Sequence, residues 1–147
     1  MTPSATAHLL LLRGTRLVAL AGAALVVVLM AWLGQEVFGY LFSSGNSRAW
    51  GEVGALPFVI PLQAAVAAWV AWNAIRPDER VLARNLLIAF GVSFFLLYGW
   101  YLLLAAMDNG TLYLAAGGDL LYLAAGLMAL LAQRLSTGDP GLGNEGP

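Results

Sequence analysis

Four long runs of apolar residues are the feature that most restricts how this chain can fold. The runs cover about 17–41, 53–75, 84–107 and 112–133. Each has roughly the 20 residues that a helix needs to cross a hydrocarbon core about 30 Å thick, at 1.5 Å per residue. The runs therefore predict an all-α membrane protein in which four transmembrane helices form an antiparallel bundle. This bundle is expected to be a single domain over 1–135, followed by a flexible cytoplasmic tail over 136–147.

The composition places this domain in lipid and not in water. Of 147 residues, 61% are hydrophobic and 10% are charged, and the mean hydropathy is +0.79. A soluble globular domain carries about 25% charged residues, so this chain lacks the polar surface that water requires. Seven basic residues are balanced by eight acids, which gives no reason to expect nucleic acid as a partner. All seven are Arg, a bias typical of GC-rich bacterial genomes, and the expected location is a bacterial inner membrane.

The sequence carries no recognisable catalytic or cofactor site. It has no Cys, which excludes disulfides, thiol chemistry and iron–sulfur clusters. The single histidine, His8, does not provide a set of ligands for zinc or haem. Phosphate-binding loops, dinucleotide fingerprints, nucleophile elbows and zinc-protease motifs are all missing from the sequence. We therefore expect no cofactor and no metal.

The distribution of arginine predicts the orientation of the bundle. Short cytoplasmic loops of membrane proteins are enriched in Lys and Arg. Only Arg48 lies on one side of the predicted spans, and the other side carries Arg13, Arg16, Arg76, Arg80, Arg84 and Arg134. Both termini are therefore expected in the cytoplasm. A cleaved signal peptide is the alternative for the first span, but the apolar stretch is longer than the usual 7 to 15 or so residues, and the segment at its end, LMAWLGQE, offers no A-x-A cleavage pattern.

Turn-forming residues separate the predicted spans. Residues 42–48, FSSGNSR, form a Ser/Gly/Asn cluster, and residues 108–111, DNGT, indicate a tight connection. Between the second and third spans, Pro77 is expected at the first position of a helix. The acidic Asp78 and Glu79 then fall in the first helical turn, where the helix dipole favours anions.

One acid lies inside the fourth apolar run. Asp119 is seven residues into this run, about 10 Å below its outer end. An aspartate at the centre of an isolated membrane helix costs about 3 kcal/mol, so it normally faces the bundle interior or a wet cavity. Three- and four-residue spacing connects Asp119 to a stripe of small or polar residues, namely Ala115, Tyr122, Gly126, Ala129 and Gln133. The stripe is predicted to face inward, and the leucines of the opposite face to contact lipid.

Three further polar residues are predicted at a similar depth. Gln63 on the second span and Tyr98 on the third lie about 13 Å below the outer ends of their helices, and Glu36 lies near the outer end of the first. Together with Asp119 they define a candidate cavity in the outer half of the bundle. The alternative, which we prefer, is that Asp119 hydrogen-bonds to Tyr98 or Gln63 and holds helices together, at about 0.6 kcal/mol per bond.

Three functional hypotheses follow from these features. The preferred one is a structural or accessory protein that lies in the lipid bilayer and packs against a larger membrane protein complex or against copies of itself. The second is a binder or carrier of a small lipophilic or cationic ligand in the outer-half cavity, favoured by the helix-bending Pro57 and Pro61 and by the excess of acids on the outer side. The third is a membrane-embedded enzyme that uses Asp119 or Glu36 as an acid or base.

Overall fold

A computed structural model describes the backbone of residues 3–104 and 109–137, and the side chains of these ranges except 98–104 and 109–112. All of the secondary-structure elements in the described residues are α-helices. The helices are α1 (Pro3–Ser44), α2 (Ser47–Val53), α3 (Leu56–Ile75), α4 (Glu79–Leu104) and α5 (Asn109–Thr137). All except α2 are long and apolar enough to cross a membrane. This confirms the predicted all-α architecture of four candidate spans packed against each other. The predicted tail beyond Thr137 and Asp108 of the predicted connection lie outside the described residues.

The four long helices form a ring in the order α1, α3, α4, α5, so that each packs against two neighbours. The helices α1 and α5 run antiparallel: a Cβ atom added at Gly14 would lie 2.9 Å from Met128, and one added at Gly118 would lie 2.6 Å from Val26. The same reversal holds between α3 and α4 and between α4 and α5. Over the described residues, the contact between α1 and α5 is the most extensive of the ring and that between α3 and α4 the least.

The first helix is much longer than the predicted span 17–41. Its 42 residues extend about 63 Å at 1.5 Å per residue, roughly twice the thickness of the hydrocarbon core. The additional N-terminal turns pack against the ends of two other helices. Nδ1 of His8 is 2.9 Å from the backbone carbonyl oxygen of Ala132 in α5. Nε2 of the same ring is 3.3 Å from the carboxylate of Glu79 in α4.

The connection after α1 is shorter than the predicted turn over 42–48, because α1 continues to Ser44. The chain reverses at Gly45, where φ is +56° and a side chain would be strained. Asn46 then caps α2, since its side chain accepts a hydrogen bond from the Arg48 backbone N–H at 3.3 Å. A two-residue connection thus replaces a longer loop.

Prolines mark helix starts at two places in this fold. Pro57 was expected to interrupt a span but lies in the first turn of α3, where the missing N–H has no intrahelical partner to lose. Only Pro61 is inside that helix. Pro77 precedes α4 instead of opening it, and Asp78 caps the helix by accepting the backbone N–H two residues further on at 3.1 Å. The helix therefore begins at Glu79.

Apolar side chains cover the outside of the bundle as well as its inside. Phe42, Phe95 and Ile75 are 84%, 75% and 70% exposed, and many other large apolar side chains are also exposed on the outer surface. In water such a surface would drive association, whereas in a bilayer it contacts lipid tails. The outer surface thus fits the four candidate spans.

Arginine is concentrated at one end of the bundle. The order and antiparallel packing of the helices place six Arg residues at the end that also holds both described chain ends. The Arg76 guanidinium lies 4.8 Å from the centre of the Trp72 ring, a cation–π distance. Arg48 lies at the opposite end, 3.8 Å from Glu52 of the same short helix. The charge asymmetry read from the sequence is therefore an asymmetry of the folded bundle.

Candidate functional site

The inward face of α5 contains the acid that sequence analysis singled out. Asp119 is 2% exposed, and its stripe partners Ala115, Tyr122, Gly126 and Ala129 are also buried. The opposite face carries exposed leucines. The spacing of small and polar residues along this helix thus correctly predicted which face points inward. The absence of a side chain at Gly118, directly before Asp119, allows Val26 of α1 to approach closely.

Asp119 belongs to a buried hydrogen-bond network that connects three helices. Its Oδ1 atom contacts the Oγ hydroxyl of Ser93 on α4. The same hydroxyl lies 2.8 Å from Oε1 of Gln63 on α3, and the Gln63 amide donates from Nε2 to the Ser93 backbone carbonyl at 3.0 Å. None of these three residues is more than 2% exposed. We call this set Gln63, Ser93 and Asp119 the polar core.

The helix register explains why Asp119 meets Ser93. Gln133 of α5 donates from Nε2 to the backbone carbonyl of Glu79 at the start of α4 at 3.0 Å. Asp119 is fourteen residues before Gln133 (133 − 119), and Ser93 is fourteen residues after Glu79 (93 − 79), so both contacts belong to one antiparallel register. Tyr98 lies further along α4 toward the outer end.

The four residues of the predicted outer-half cavity occupy different environments. Gln63 and Asp119 come together through Ser93. Glu36 lies on an exposed face of α1, next to the buried Val37. The side chain of Tyr98 lies outside the described part of the structure.

Ser93 was not among the residues predicted for the site, and a second polar contact between α3 and α4 was not predicted either. Asn85 of α4 donates from Nδ2 to Oδ1 of Asn73 on α3 at 2.7 Å. A simple signal was present in the sequence. Folding the chain back on itself at the turn near residue 78 brings Asn73 opposite Asn85 and Gln63 opposite Ser93, because each pair is nearly symmetric about that turn.

Polar side chains also meet at the arginine-rich end of the bundle. Gln133 donates to the backbone carbonyls of Glu79 and Arg80, at 3.0 and 3.3 Å. Beside these contacts is a cavity of about 420 Å³ lined by His8, Leu12, Glu79, Arg80, Gln133, Ser136 and Thr137. Its polar groups largely bond to backbone carbonyls of the helices that form it. The cluster thus ties the end of α1 to α4 and α5.

The chemistry available at the polar core is hydrogen bonding. Oδ2 of Asp119 and the hydroxyl of Tyr122, one turn further along α5, are buried without a hydrogen-bond partner. Over the described side chains, Arg48 pairs with Glu52 and the ring of His8 contacts the Glu79 carboxylate, so Asp119 has no basic partner there. The described residues also contain no group of three potential metal ligands among His, Cys, Asp and Glu.

Comparisons with protein-family models, with curated proteins and with solved structures found no match for this chain.

Proposed function

We propose that this chain is a structural or accessory protein of a bacterial inner membrane, with both termini in the cytoplasm. Its partners would be the lipid bilayer and either a larger membrane protein complex or further copies of the chain. The observation that carries the proposal is the polar core, in which the one acid buried in the described bundle contacts Ser93 and, through it, Gln63. An acid that bonds within its own bundle acts as a connection between helices.

The environment of the polar core supports a structural role. Small residues bring the helices close around it, as at Gly22, where an added Cβ would lie 3.0 Å from Tyr122. Residues in such close contact are held by packing as well as by hydrogen bonds. The apolar outer surface provides a large area for lipid or for another membrane protein.

Association of the chain with a partner is testable in mild detergent. A tagged chain expressed at its natural level would be extracted and its mass measured by light scattering, with an unrelated four-span protein of similar size as the control. After the mass of bound detergent is subtracted, we expect a protein mass well above the 15.5 kDa of one chain. A chain that always isolates as a monomer, in several detergents and in lipid nanodiscs, would contradict the accessory role.

A second candidate function is favoured by the unpartnered oxygens of Asp119 and Tyr122. Two buried acceptors one helical turn apart suit a small ligand that donates hydrogen bonds, such as an ammonium group. This is the binder or carrier hypothesis. It requires a water-accessible route to the polar core.

Thiol labelling separates the two candidate functions. Because the chain has no Cys, Ser93→Cys introduces a single thiol of similar shape at the centre of the polar core. The matched control is Gly51→Cys, since a Cβ there has no other atom within 4 Å. The structural role predicts that a charged thiol reagent modifies Gly51→Cys and leaves Ser93→Cys unmodified. Modification of both would favour a ligand cavity.

A further inference from the structure

The hydroxyl of Ser93 makes more contacts than its single hydrogen can serve. A serine hydroxyl donates one hydrogen bond and accepts up to two. Here Oγ of Ser93 contacts two oxygen atoms, Oε1 of Gln63 and Oδ1 of Asp119. The hydroxyl can donate to one of them, so the other contact is a hydrogen bond only if its oxygen carries a proton.

The orientation of the Gln63 amide shows which oxygen this is. Its Nε2 lies 3.0 Å from the Ser93 backbone carbonyl, which can only accept. The amide therefore presents its NH₂ group to the carbonyl and its Oε1 to the Ser93 hydroxyl. Oε1 has no proton, so Ser93 must donate to Gln63 for their 2.8 Å contact to be a hydrogen bond.

Asp119 must then supply the remaining hydrogen. A neutral carboxylic acid donates to Ser93 Oγ, and all the contacts of the polar core become hydrogen bonds. A carboxylate would instead take the Ser93 hydrogen, leaving Oε1 of Gln63 facing Ser93 Oγ without a hydrogen between them. It would also leave a charged, buried Oδ2 without a donor, which costs more than leaving a neutral carbonyl oxygen unpaired.

We propose that Asp119 is a proton-binding site that controls the contact between α3 and α4. With the proton bound, hydrogen bonds run from Asp119 to Ser93 and from Ser93 to Gln63, so that α5, α4 and α3 are linked in series. When Asp119 loses the proton, the Ser93 hydroxyl turns to the carboxylate and releases Oε1 of Gln63. The link between α4 and α5 is kept, and one of the two links between α3 and α4 at this level is lost.

Among the side chains that the structure describes, no charged group contacts Asp119. On the side of α1, Val26 packs against Gly118 and Gly22 packs against Tyr122. The neighbours on α3 and α4 are Gln63 and Ser93, neither of which titrates. Tyr122, on the same face of α5, is the one other titratable group described at this level.

The position of the hydrogen bond between Ser93 and Gln63 in the bundle determines which helices would separate when that bond is lost. The contact between α3 and α4 is the least extensive of the ring over the described residues. Its second polar pair, Asn73 with Asn85, lies closer to the arginine-rich end. Loss of the bond from Ser93 to Gln63 therefore weakens the half of this contact distant from that end, while the asparagine pair keeps the other half together.

Infrared spectroscopy tests the protonation of Asp119 directly. The difference spectrum between wild type and Asp119→Asn at neutral pH should show the C=O stretch of a protonated carboxylic acid, and Ser93→Ala should shift this band by removing its hydrogen-bond acceptor. A difference spectrum with only carboxylate bands would overturn the proposal. A carboxylic acid band that persists to the highest pH at which the bundle stays folded would overturn the switch.

Paired spin labels test the movement between α3 and α4. Cysteines would replace Leu62 and Phe95 across this contact, and Phe95 and Leu120 across the contact between α4 and α5. All three side chains are exposed, at 51%, 75% and 61%, so the labels do not enter the core.

At a pH where the carboxylic acid band has disappeared, the Leu62–Phe95 distance distribution should lengthen and broaden while the Phe95–Leu120 distribution stays the same. Asp119→Asn should abolish the change, because its amide donates to Ser93 at every pH. An equal change in Asp119→Asn, or the same change in both pairs, would overturn the switch. Constant distances in wild type after loss of the band would do the same.

Discussion

At the scale of single residues, Ser93 determines how an acid can be accommodated in an apolar helix that is a candidate membrane span. Its hydroxyl is the only described group that contacts both Asp119 and Gln63. Through these two contacts, α3 and α5 both meet α4 at the level of Ser93. The cost of burying the acid is thereby offset by hydrogen bonds on one side and close packing at Gly118 on the other.

Two substitutions at Asp119 should have different effects on stability. Asn has nearly the same volume and an NH₂ group that donates to Ser93, so Asp119→Asn should unfold close to wild type. Leu removes the partner of Ser93 and adds bulk beside Gly118, which typically costs about 1–3 kcal/mol. Thermal unfolding of both variants in the same detergent measures the difference. A Leu variant that melts above wild type would contradict the inward-facing position of Asp119.

The sequence allows some of these residues to be predicted and not others, for physical reasons. Asp119 and its stripe could be assigned because spacing within one helix determines which side chains share a face. Depth below the outer helix ends did not distinguish Ser93 from Tyr98, because register between two helices depends on where each begins, and α4 begins at Glu79. Counting outward from the turn near residue 78 pairs Gln63 with Ser93. Glu36 lies in a helix that is apolar on all sides, so the spacing of apolar residues does not predict which face of that helix points into the bundle.

At the scale of helices, the close approach of α5 to α1 depends on one of two adjacent glycines. A Cβ atom at Gly118 would lie 2.6 Å from Cγ2 of the buried Val26, whereas one at Gly117 would have its nearest neighbour, Leu25, at 4.0 Å. Both positions are helical. The pair therefore separates the effect of helix packing from that of helix propensity.

Gly118→Ala should destabilise the bundle, and Gly117→Ala should not. Overpacking at a site that cannot relax costs about 1–3 kcal/mol, while alanine in a helix gains up to about 1 kcal/mol over glycine. Unfolding of the two variants in one detergent gives the comparison. Equal melting temperatures for the two variants would show that α1 and α5 are not in close contact at Gly118.

The N-terminal turns of α1 depend on a different set of contacts. His8 joins them to α4 and α5, and a pattern of apolar residues does not reveal such a contact. This is why the length of α1 was underestimated while the four spans were recognised.

His8→Ala should release the first turns of α1 without affecting the rest of the bundle. Loss of the hydrogen bond to α5 and of the partly exposed contact with the Glu79 carboxylate, together about 1.4 kcal/mol, corresponds to roughly tenfold faster amide exchange in this segment. Hydrogen exchange with mass spectrometry measures it by region. The control is Leu10→Ala, whose side chain is 64% exposed and should leave exchange unchanged. Faster exchange throughout all four helices would contradict a local role.

At the scale of the whole molecule, charge and polarity are distributed unequally between the two ends. Six Arg residues and the His8 contacts lie at one end, and Arg48 with its short helix lies at the other. The polar core lies between the two ends. The proposed orientation, with the arginine-rich end on the cytoplasmic side, rests on this asymmetry, because short cytoplasmic loops of membrane proteins are enriched in Lys and Arg.

This orientation predicts which single cysteines an impermeant thiol reagent can reach in intact cells. Gly51→Cys on α2 lies at the end with one Arg, and Ser136→Cys lies near the end of α5 beside the arginine-rich end; both positions are exposed. We expect Gly51→Cys to be modified in intact cells and Ser136→Cys only after the membrane is permeabilised. Because four spans place residues 51 and 136 on opposite sides, the reverse pattern would mean an inverted bundle. Modification of both in intact cells would mean that one of the four helices does not cross the membrane.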